Sequence, residues 1–140
     1  MTFKWDAPPS VNIASMFTEA FDFTIENPPW GMNRILNLPR ALELLVPPEK
    51  PGRVTVSVTD DHLPSNSGTH SIEWEGGAVS VKRASGPPDL ETDIQTLTQL
   101  VTGFLSIDQV QMKRTAIVNG QEDALRGIFA PKELYLADYF

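Results

Sequence analysis

The sequence predicts an α+β domain, with a mostly antiparallel sheet and helices packed on one face of that sheet. Residues 54–59, 69–75 and 78–83 alternate apolar and polar side chains, which is typical of half-buried antiparallel strands. The last third of the chain instead spaces its apolar residues three and four positions apart, which is the period of an amphipathic helix. Strands that precede a run of helices favour the α+β class.

The first part of the chain consists of short segments separated by prolines. Residues 10–20 are predicted to form a helix, and residues 21–26 a strand with alternating apolar and polar side chains. Residues 32–36 are predicted to form a second strand, in which Arg34 is the only charge. Asn37 then begins a helix, because its side chain can accept a hydrogen bond from a free backbone N–H of the first turn.

The middle of the chain predicts a β-hairpin between residues 69–75 and 78–83. Gly76 and Gly77 join the two strands, and glycine readily takes the positive φ that a two-residue hairpin turn requires. The polar stretch at residues 60–68 is too long for a tight turn, so we expect a surface loop there.

The last third of the chain predicts three helices and one short strand. Asp93 can cap the first helix, and Gly103 stands where that helix would end. Ser106 followed by Gln109 forms a capping-box pattern that begins the second helix. A strand is expected at residues 116–118, before a last helix that starts at a pair of acidic residues.

The composition excludes several classes of function. The 140 residues include no cysteine, which rules out disulfides, thiolate metal sites and a cysteine nucleophile. Eleven basic against eighteen acidic residues give a formal net charge of −7, so nucleic acid is not an expected partner. No apolar run approaches the roughly 18 residues that a membrane span needs, and we expect a cytoplasmic protein.

The titratable residues form no self-sufficient active site. His62 and His70 show none of the spacings that zinc sites use, so no metal ligand is assigned. The sequence contains two sets of closely spaced acidic residues, Asp60 with Asp61, and Asp89 with Glu91 and Asp93. Two interpretations remain open for these residues. They could form a hard-cation or acid–base site, or a solvated surface with a helix cap.

The aromatic and aliphatic residues also leave two interpretations open, a cavity for an apolar ligand and an ordinary core. We expect a packed core with little room for a ligand, formed in part by Trp74, Leu97, Leu100, Phe104, Ile128 and Phe129. Residues 134–140 are unusually aromatic for the end of a chain, so we expect them to dock on this domain or on another surface.

The order of residues over nearly the whole chain is similar to that of one enzyme family. Residues 4–9 and 30–42 resemble the start of the last domain of Eis-like (enhanced intracellular survival) N-acetyltransferases, and residues 54–68 and 88–93 agree with later stretches. The family segment typically reads W-x-R-[IL]-[VL]-[DN]-[VL]-x-x-A-L, and these positions match it here: Arg34, Ile35, Leu36, Asn37, Ala41 and Leu42.

This resemblance implies a three-part enzyme, in which two tandem GNAT acetyltransferase domains precede a domain folded like a sterol carrier protein. Residues 1–28 then correspond to a connecting helix and strand, the linker from a GNAT domain, and residues 29–140 to the sterol-carrier-like domain. In such enzymes an acetyl group passes from acetyl-coenzyme A to a substrate amine. The coenzyme A loop, of the form [QR]-x-x-G-x-[GA], has no counterpart here, so no cofactor-binding residue is assigned and this chain alone is not expected to be active.

The resemblance assigns one catalytic group to the chain. In Eis-like enzymes the C-terminal carboxylate enters the active site as general base, and in this sequence that group is the α-carboxylate of Phe140. The general acid, a tyrosine, belongs to the first GNAT domain, and the GNAT domains of the parent polypeptide are the expected partners.

Two other functions remain open at this stage. One is a stand-alone sterol-carrier-like domain that binds a lipid or another apolar ligand. The other is a structural or homo-oligomerisation module.

Overall fold

The computed structural model describes residues 33–132, which form a five-stranded mixed sheet and four α-helices. The strand order is β3-β2-β1-β4-β5, and within these residues only the β1–β4 pairing is parallel. The predicted α+β class with a mostly antiparallel sheet is confirmed. The elements in chain order are α1 Leu38–Glu43, β1 Gly52–Thr59, β2 Gly68–Glu75, β3 Ala78–Arg83, β4 Leu90–Asp93, α2 Ile94–Val101, α3 Ile107–Lys113, β5 Ala116–Val118 and α4 Glu122–Ile128.

The hairpin of β2 and β3 confirms the turn predicted at the two glycines. Glu75 pairs with Ala78, so Gly76 and Gly77 form the two-residue connection. Their φ angles are +58° and +82°, the left-handed region that a primed hairpin turn needs at both positions. The twist of that turn matches the twist of the flanking strands, which favours the observed register.

The helix caps are also those that the sequence predicts. The Asn37 side chain accepts a hydrogen bond from the Arg40 N–H and begins α1. Ser106 and Gln109 form a capping box at the start of α3, each side chain bonding the backbone N–H of the other.

The core lies between the helices and one face of the sheet. Buried side chains from β1, β2 and β4 pack with those of α2, α3 and α4, and within residues 33–132 the opposite face of the sheet is mainly polar. Phe104, which we expected in this core, is instead 63% exposed. Gly103 ends the helical region at a φ of +78°, so helical spacing no longer applies at Phe104, and Leu105 is buried instead.

The strand predicted over residues 32–36 is wrong for its described part, because residues 33–36 form no strand. Side-chain hydrogen bonds hold this segment in place of pairing with a neighbouring strand. The Asn66 side-chain amide donates to the Ile35 carbonyl, and the Arg34 side chain donates to Asp60.

The helix and strand predicted within residues 1–28 lie outside the described residues, and the boundary at residue 29 stays a prediction. Among the helices of the described part, none combines the length and apolar character that crossing a bilayer requires.

Candidate functional site

The loop between β1 and β2 contains two polar side chains that are almost fully buried. A surface loop was expected here, but Asp60 is only 4% exposed and Asn66 only 2%. A short 3₁₀ turn, Pro64–Asn66, carries the amide of Asn66 inward. Of the two interpretations left open for this acidic pair, a solvated surface does not describe Asp60, and the neighbouring Asp61 is the exposed member.

Asp60 accepts hydrogen bonds on both of its carboxylate oxygens. Its Oδ1 accepts from Arg34 Nη2 at 2.7 Å and from two loop amides, those of His62 and Leu63, at 3.0 Å each. Its Oδ2 accepts from Asn66 Nδ2 at 3.0 Å. Burial by itself raises the pKa of Asp60, but the hydrogen bonds and the Arg34 charge outweigh it and lower the pKa to about 2. Asp60 is thus an ionised structural acceptor at neutral pH and has no free proton to donate.

Asn66 connects this loop to the first turn of α1. Its Oδ1 accepts from the Leu38 N–H at 3.1 Å, and its Nδ2 donates to the Ile35 carbonyl at 3.3 Å as well as to Asp60. We call Arg34, Asp60 and Asn66 the polar junction. It satisfies backbone groups at the start of α1 that would otherwise be buried without partners.

The two histidines lie in different surroundings. His62 is exposed, whereas His70 points into the core from β2 with Nε2 3.3 Å from the Asn66 carbonyl oxygen. Because a carbonyl oxygen only accepts, Nε2 carries the ring proton in this contact, and Nδ1 has no hydrogen-bond partner within residues 33–132. Burial, opposed by that hydrogen bond and assisted by the charge of Arg83, lowers the pKa of His70, so the ring is neutral at pH 7.

The second acidic set is Asp89, Glu91 and Asp93, and each of these carboxylates accepts a hydrogen bond from a different donor. Asp93 caps α2 by accepting from the Thr96 N–H at 2.6 Å, which confirms the predicted helix cap. Asp89 Oδ2 accepts from the backbone N–H of Thr55 at 2.7 Å, and Glu91 accepts from the side-chain amide of Asn119 at 2.8 Å. Across residues 33–132, no group of three histidine or carboxylate side chains is placed to hold a metal ion.

Two depressions on the surface of the described part are open to solvent. One, of about 380 Å³, lies on the outer face of the sheet and is lined by Arg53, Ser71, Glu73, Lys82, Arg83, Ala84 and Ser85. The other, of about 310 Å³, lies beside β4 and β5 and is lined by Ser57, Thr59, Glu91, Thr92, Arg114, Thr115, Ala116 and Ile117. Neither is the enclosed apolar cavity that a lipid-sized ligand requires.

The predicted catalytic group lies outside the described residues. Phe140 belongs to the final eight residues, as do the residues expected to hold it in place, Leu134, Tyr135 and Tyr139. The described chain ends at Lys132, whose backbone N–H donates to the Gly103 carbonyl at 3.1 Å.

The sequence matches the family described as sterol carrier protein domain over residues 38–137. The chain belongs to this family. No curated protein matches the sequence. The family match therefore confirms the prediction that this chain contains a sterol-carrier-like domain.

The domain resembles part of several larger acetyltransferase structures. A GCN5-related N-acetyltransferase from Anabaena variabilis is 27% identical with a TM-score of 0.70, and the match covers 76% of this chain and 28% of that protein. A GCN5-related N-acetyltransferase from Kribbella flavida is 19% identical with a TM-score of 0.68, covering 76% of this chain and 29% of that one. Eis1 from Mycobacterium abscessus is 18% identical with a TM-score of 0.62, covering 74% and 26%. The last two show a shared fold, and the similarity to Eis-like enzymes inferred from the sequence is confirmed.

The polar junction was not anticipated from the sequence. Its residues were noticed singly: Arg34 as the one charge of an apolar segment, and Asp60 as half of an acidic pair. An isolated arginine among apolar residues was the available indication that a buried carboxylate lies opposite it.

We expect the free energy of unfolding to fall as the pH drops from about 4 to about 2. The pKa of Asp60 is lowered from 3.8 to about 2 in the folded chain, so over this window the unfolded chain binds a proton that the folded chain does not. Urea denaturation of the 140-residue chain at a series of pH values measures the effect. Asp60→Asn should be less stable than wild type at pH 7 and should show a shallower dependence between pH 4 and 2.

Asp61→Asn is the matched control, because it removes the adjacent exposed carboxylate and leaves Asp60 in place. This variant should keep most of the wild-type dependence on pH. Identical slopes for wild type and Asp60→Asn would show that Asp60 does not stabilise the fold as an anion.

Proposed function

We propose that this chain is the sterol-carrier-like domain of an Eis-like N-acetyltransferase, where it helps to shape the amine site and supplies the α-carboxylate of Phe140 as general base. The main support is the likeness to a GCN5-related N-acetyltransferase of which this chain corresponds to little more than a quarter. Membership in the sterol carrier protein domain family is consistent with it. The proposed partners are accordingly the GNAT domains of the parent polypeptide.

The proposed chemistry is proton removal from the substrate. An amine is protonated near neutral pH, and its nitrogen has no free electron pair for attack until the proton leaves. A carboxylate within about 2.6–3.2 Å of that nitrogen, or one water away, can accept the proton. The neutral amine that results is the nucleophile that acyl transfer requires.

The acetyl donor is assigned to the rest of the parent enzyme. The chain has no counterpart of the coenzyme A pyrophosphate loop, and its net charge of −7 disfavours a polyanionic cofactor. The described residues therefore do not fit acetyl-coenzyme A, and only the proton acceptor is proposed to come from this domain.

Family membership also favours a second candidate, a carrier of an apolar ligand. That function needs an enclosed apolar cavity. In the described residues, Trp74, Leu97, Leu100 and Phe129 belong to one buried core, and the two surface depressions described above are open rather than enclosed. The acetyltransferase domain is therefore the function we propose.

Extending the full-length enzyme by two residues after Phe140 should lower kcat with little change in KM. The extension moves the carboxylate away from the amine, and a positioned general base is typically worth about 10²–10⁴ in rate. Steady-state kinetics with a primary amine and acetyl-coenzyme A measure the effect.

Phe140→Leu is the control, because it changes the side chain and keeps a carboxylate at the same position. It should retain kcat to within a few-fold. An extended enzyme with the kcat of the wild type would refute the proposed role of the carboxylate.

The 140-residue chain by itself should bind no acetyl-coenzyme A, since it lacks a loop that could cradle phosphates and carries a net charge of −7. Isothermal titration calorimetry on the purified chain tests this, with the full-length enzyme as the positive control. Micromolar binding to the chain alone would assign the cofactor site to this domain and contradict the proposal.

A further inference from the structure

His70 is a buried titratable residue that bonds directly to the loop between β1 and β2. Its ring is part of a side chain that is only 1% exposed, and Nε2 donates to the Asn66 carbonyl oxygen at 3.3 Å. Its backbone lies on an inner strand of the sheet, where it pairs with Val56 of β1 and with Arg83 of β3. The backbone of His70 is therefore fixed by two neighbouring strands, whereas Asn66 lies in a loop.

The turn at residues 64–67 is held in place by side chains that reach it from the sheet. Arg83 donates from Nη2 to the Ser65 carbonyl oxygen at 2.7 Å and from Nη1 to the Ser67 carbonyl oxygen. His70 donates to the carbonyl oxygen of the residue between these two. Three consecutive carbonyl groups of the turn thus depend on two basic side chains of the hairpin.

A second proton on His70 does not fit this closed arrangement. Nδ1 is buried and has no hydrogen-bond partner among residues 33–132, so a proton there would create a buried N–H without an acceptor. The ring would also become a cation in the core, close to the charge of Arg83. Burial, opposed by the bond to Asn66 and assisted by that charge, lowers the pKa of His70 from its ordinary 6.5.

The other charged groups of the surrounding elements are engaged elsewhere. In the loop, Asp60 accepts hydrogen bonds from Arg34 and from the side chain of Asn66. On α1, Arg40 and Glu43 bond to each other at 3.0 Å. Within the described part of the chain, none of these groups supplies an acceptor for the second ring nitrogen of the histidine.

We infer that His70 is a pH-sensitive switch for the turn at residues 64–67, which opens when Nδ1 takes up a proton from solvent. Opening lets the charged ring reach water, and it is the turn that moves because the sheet holds the histidine. It also withdraws Asn66 Oδ1 from the Leu38 N–H, which it accepts at 3.1 Å in the closed state. Protonation of a side chain on β2 is thereby linked to the start of α1.

Amide hydrogen exchange in the 140-residue chain measures the opening. The reporters are the amides of Asn66 and Ser67, whose acceptors lie in the same loop, and the amide of Leu38. A histidine that reaches water binds its proton with a pKa of about 6.5, and the closed ring does so only at lower pH. Between about pH 7.5 and 5.5, protection of all three amides, corrected for intrinsic exchange, should fall together by up to about tenfold. The Phe129 amide of α4 should keep its protection.

His70→Gln separates the titration from the hydrogen bond. Glutamine keeps a side-chain N–H that can donate to the Asn66 carbonyl, but it does not bind a proton in this range. Protection of Leu38 should therefore not change between about pH 7.5 and 5.5 in this variant. His62→Gln is the matched control, because it removes the exposed histidine of the same loop and should keep the wild-type dependence. Asp60, with a pKa of about 2, stays ionised throughout.

The unsubstituted chain provides a second measurement in case glutamine in the core prevents folding. Titration of the ring nitrogens by NMR should find the neutral ring protonated at Nε2, and the second proton should bind below pH 6.5. A ring that binds this proton at or above pH 6.5 would overturn the switch. So would Leu38 protection that is constant over the range in wild type, that depends on pH equally in His70→Gln, or that falls in step with Phe129, since the last result indicates global unfolding.

Discussion

The polar junction of Arg34, Asp60 and Asn66 is the constraint on which the described fold most depends. It joins the segment before α1 to the loop between β1 and β2, although 26 residues separate Arg34 from Asp60. Asp60 and Asn66 are buried, so removing one member of the junction takes a hydrogen-bond partner from polar groups that water does not readily reach. A buried carboxylate that loses its donors is especially costly, which is why this junction specifies one arrangement of α1 on the sheet.

The parts of the fold that local chemistry determines could be predicted from the sequence. Alternating side chains identify β1 to β3, and the positive φ that Gly76 and Gly77 allow identifies the hairpin. The capping box at Ser106 is equally local, since both of its hydrogen bonds close within three residues.

The predictions that were wrong depended on contacts distant in sequence or on the exact end of a helix. A strand was predicted over residues 32–36 because Arg34 is the only charge there, but in residues 33–36 hydrogen bonds to Asn66 and Asp60 take the place of a sheet partner. Phe104 continues the helical spacing of α2 in the sequence. The chain turns at Gly103, one residue earlier, so Phe104 no longer lies on the buried face of that helix. The candidate site could be assigned only by resemblance, because a C-terminal carboxylate leaves no motif in the sequence.

The described domain is held together at the end of α4. The core secures the last turn of this helix, and the Lys132 backbone packs closely against Gly103. Family membership and the likeness to larger N-acetyltransferases support the proposed role of this domain in such an enzyme. A crystal structure of the full-length enzyme with a substrate amine bound tests this account most directly. The account predicts a Phe140 carboxylate oxygen within about 2.6–3.2 Å of the amine nitrogen, or bridged to it by one water. A carboxylate that instead pairs with a basic side chain away from the amine would contradict it.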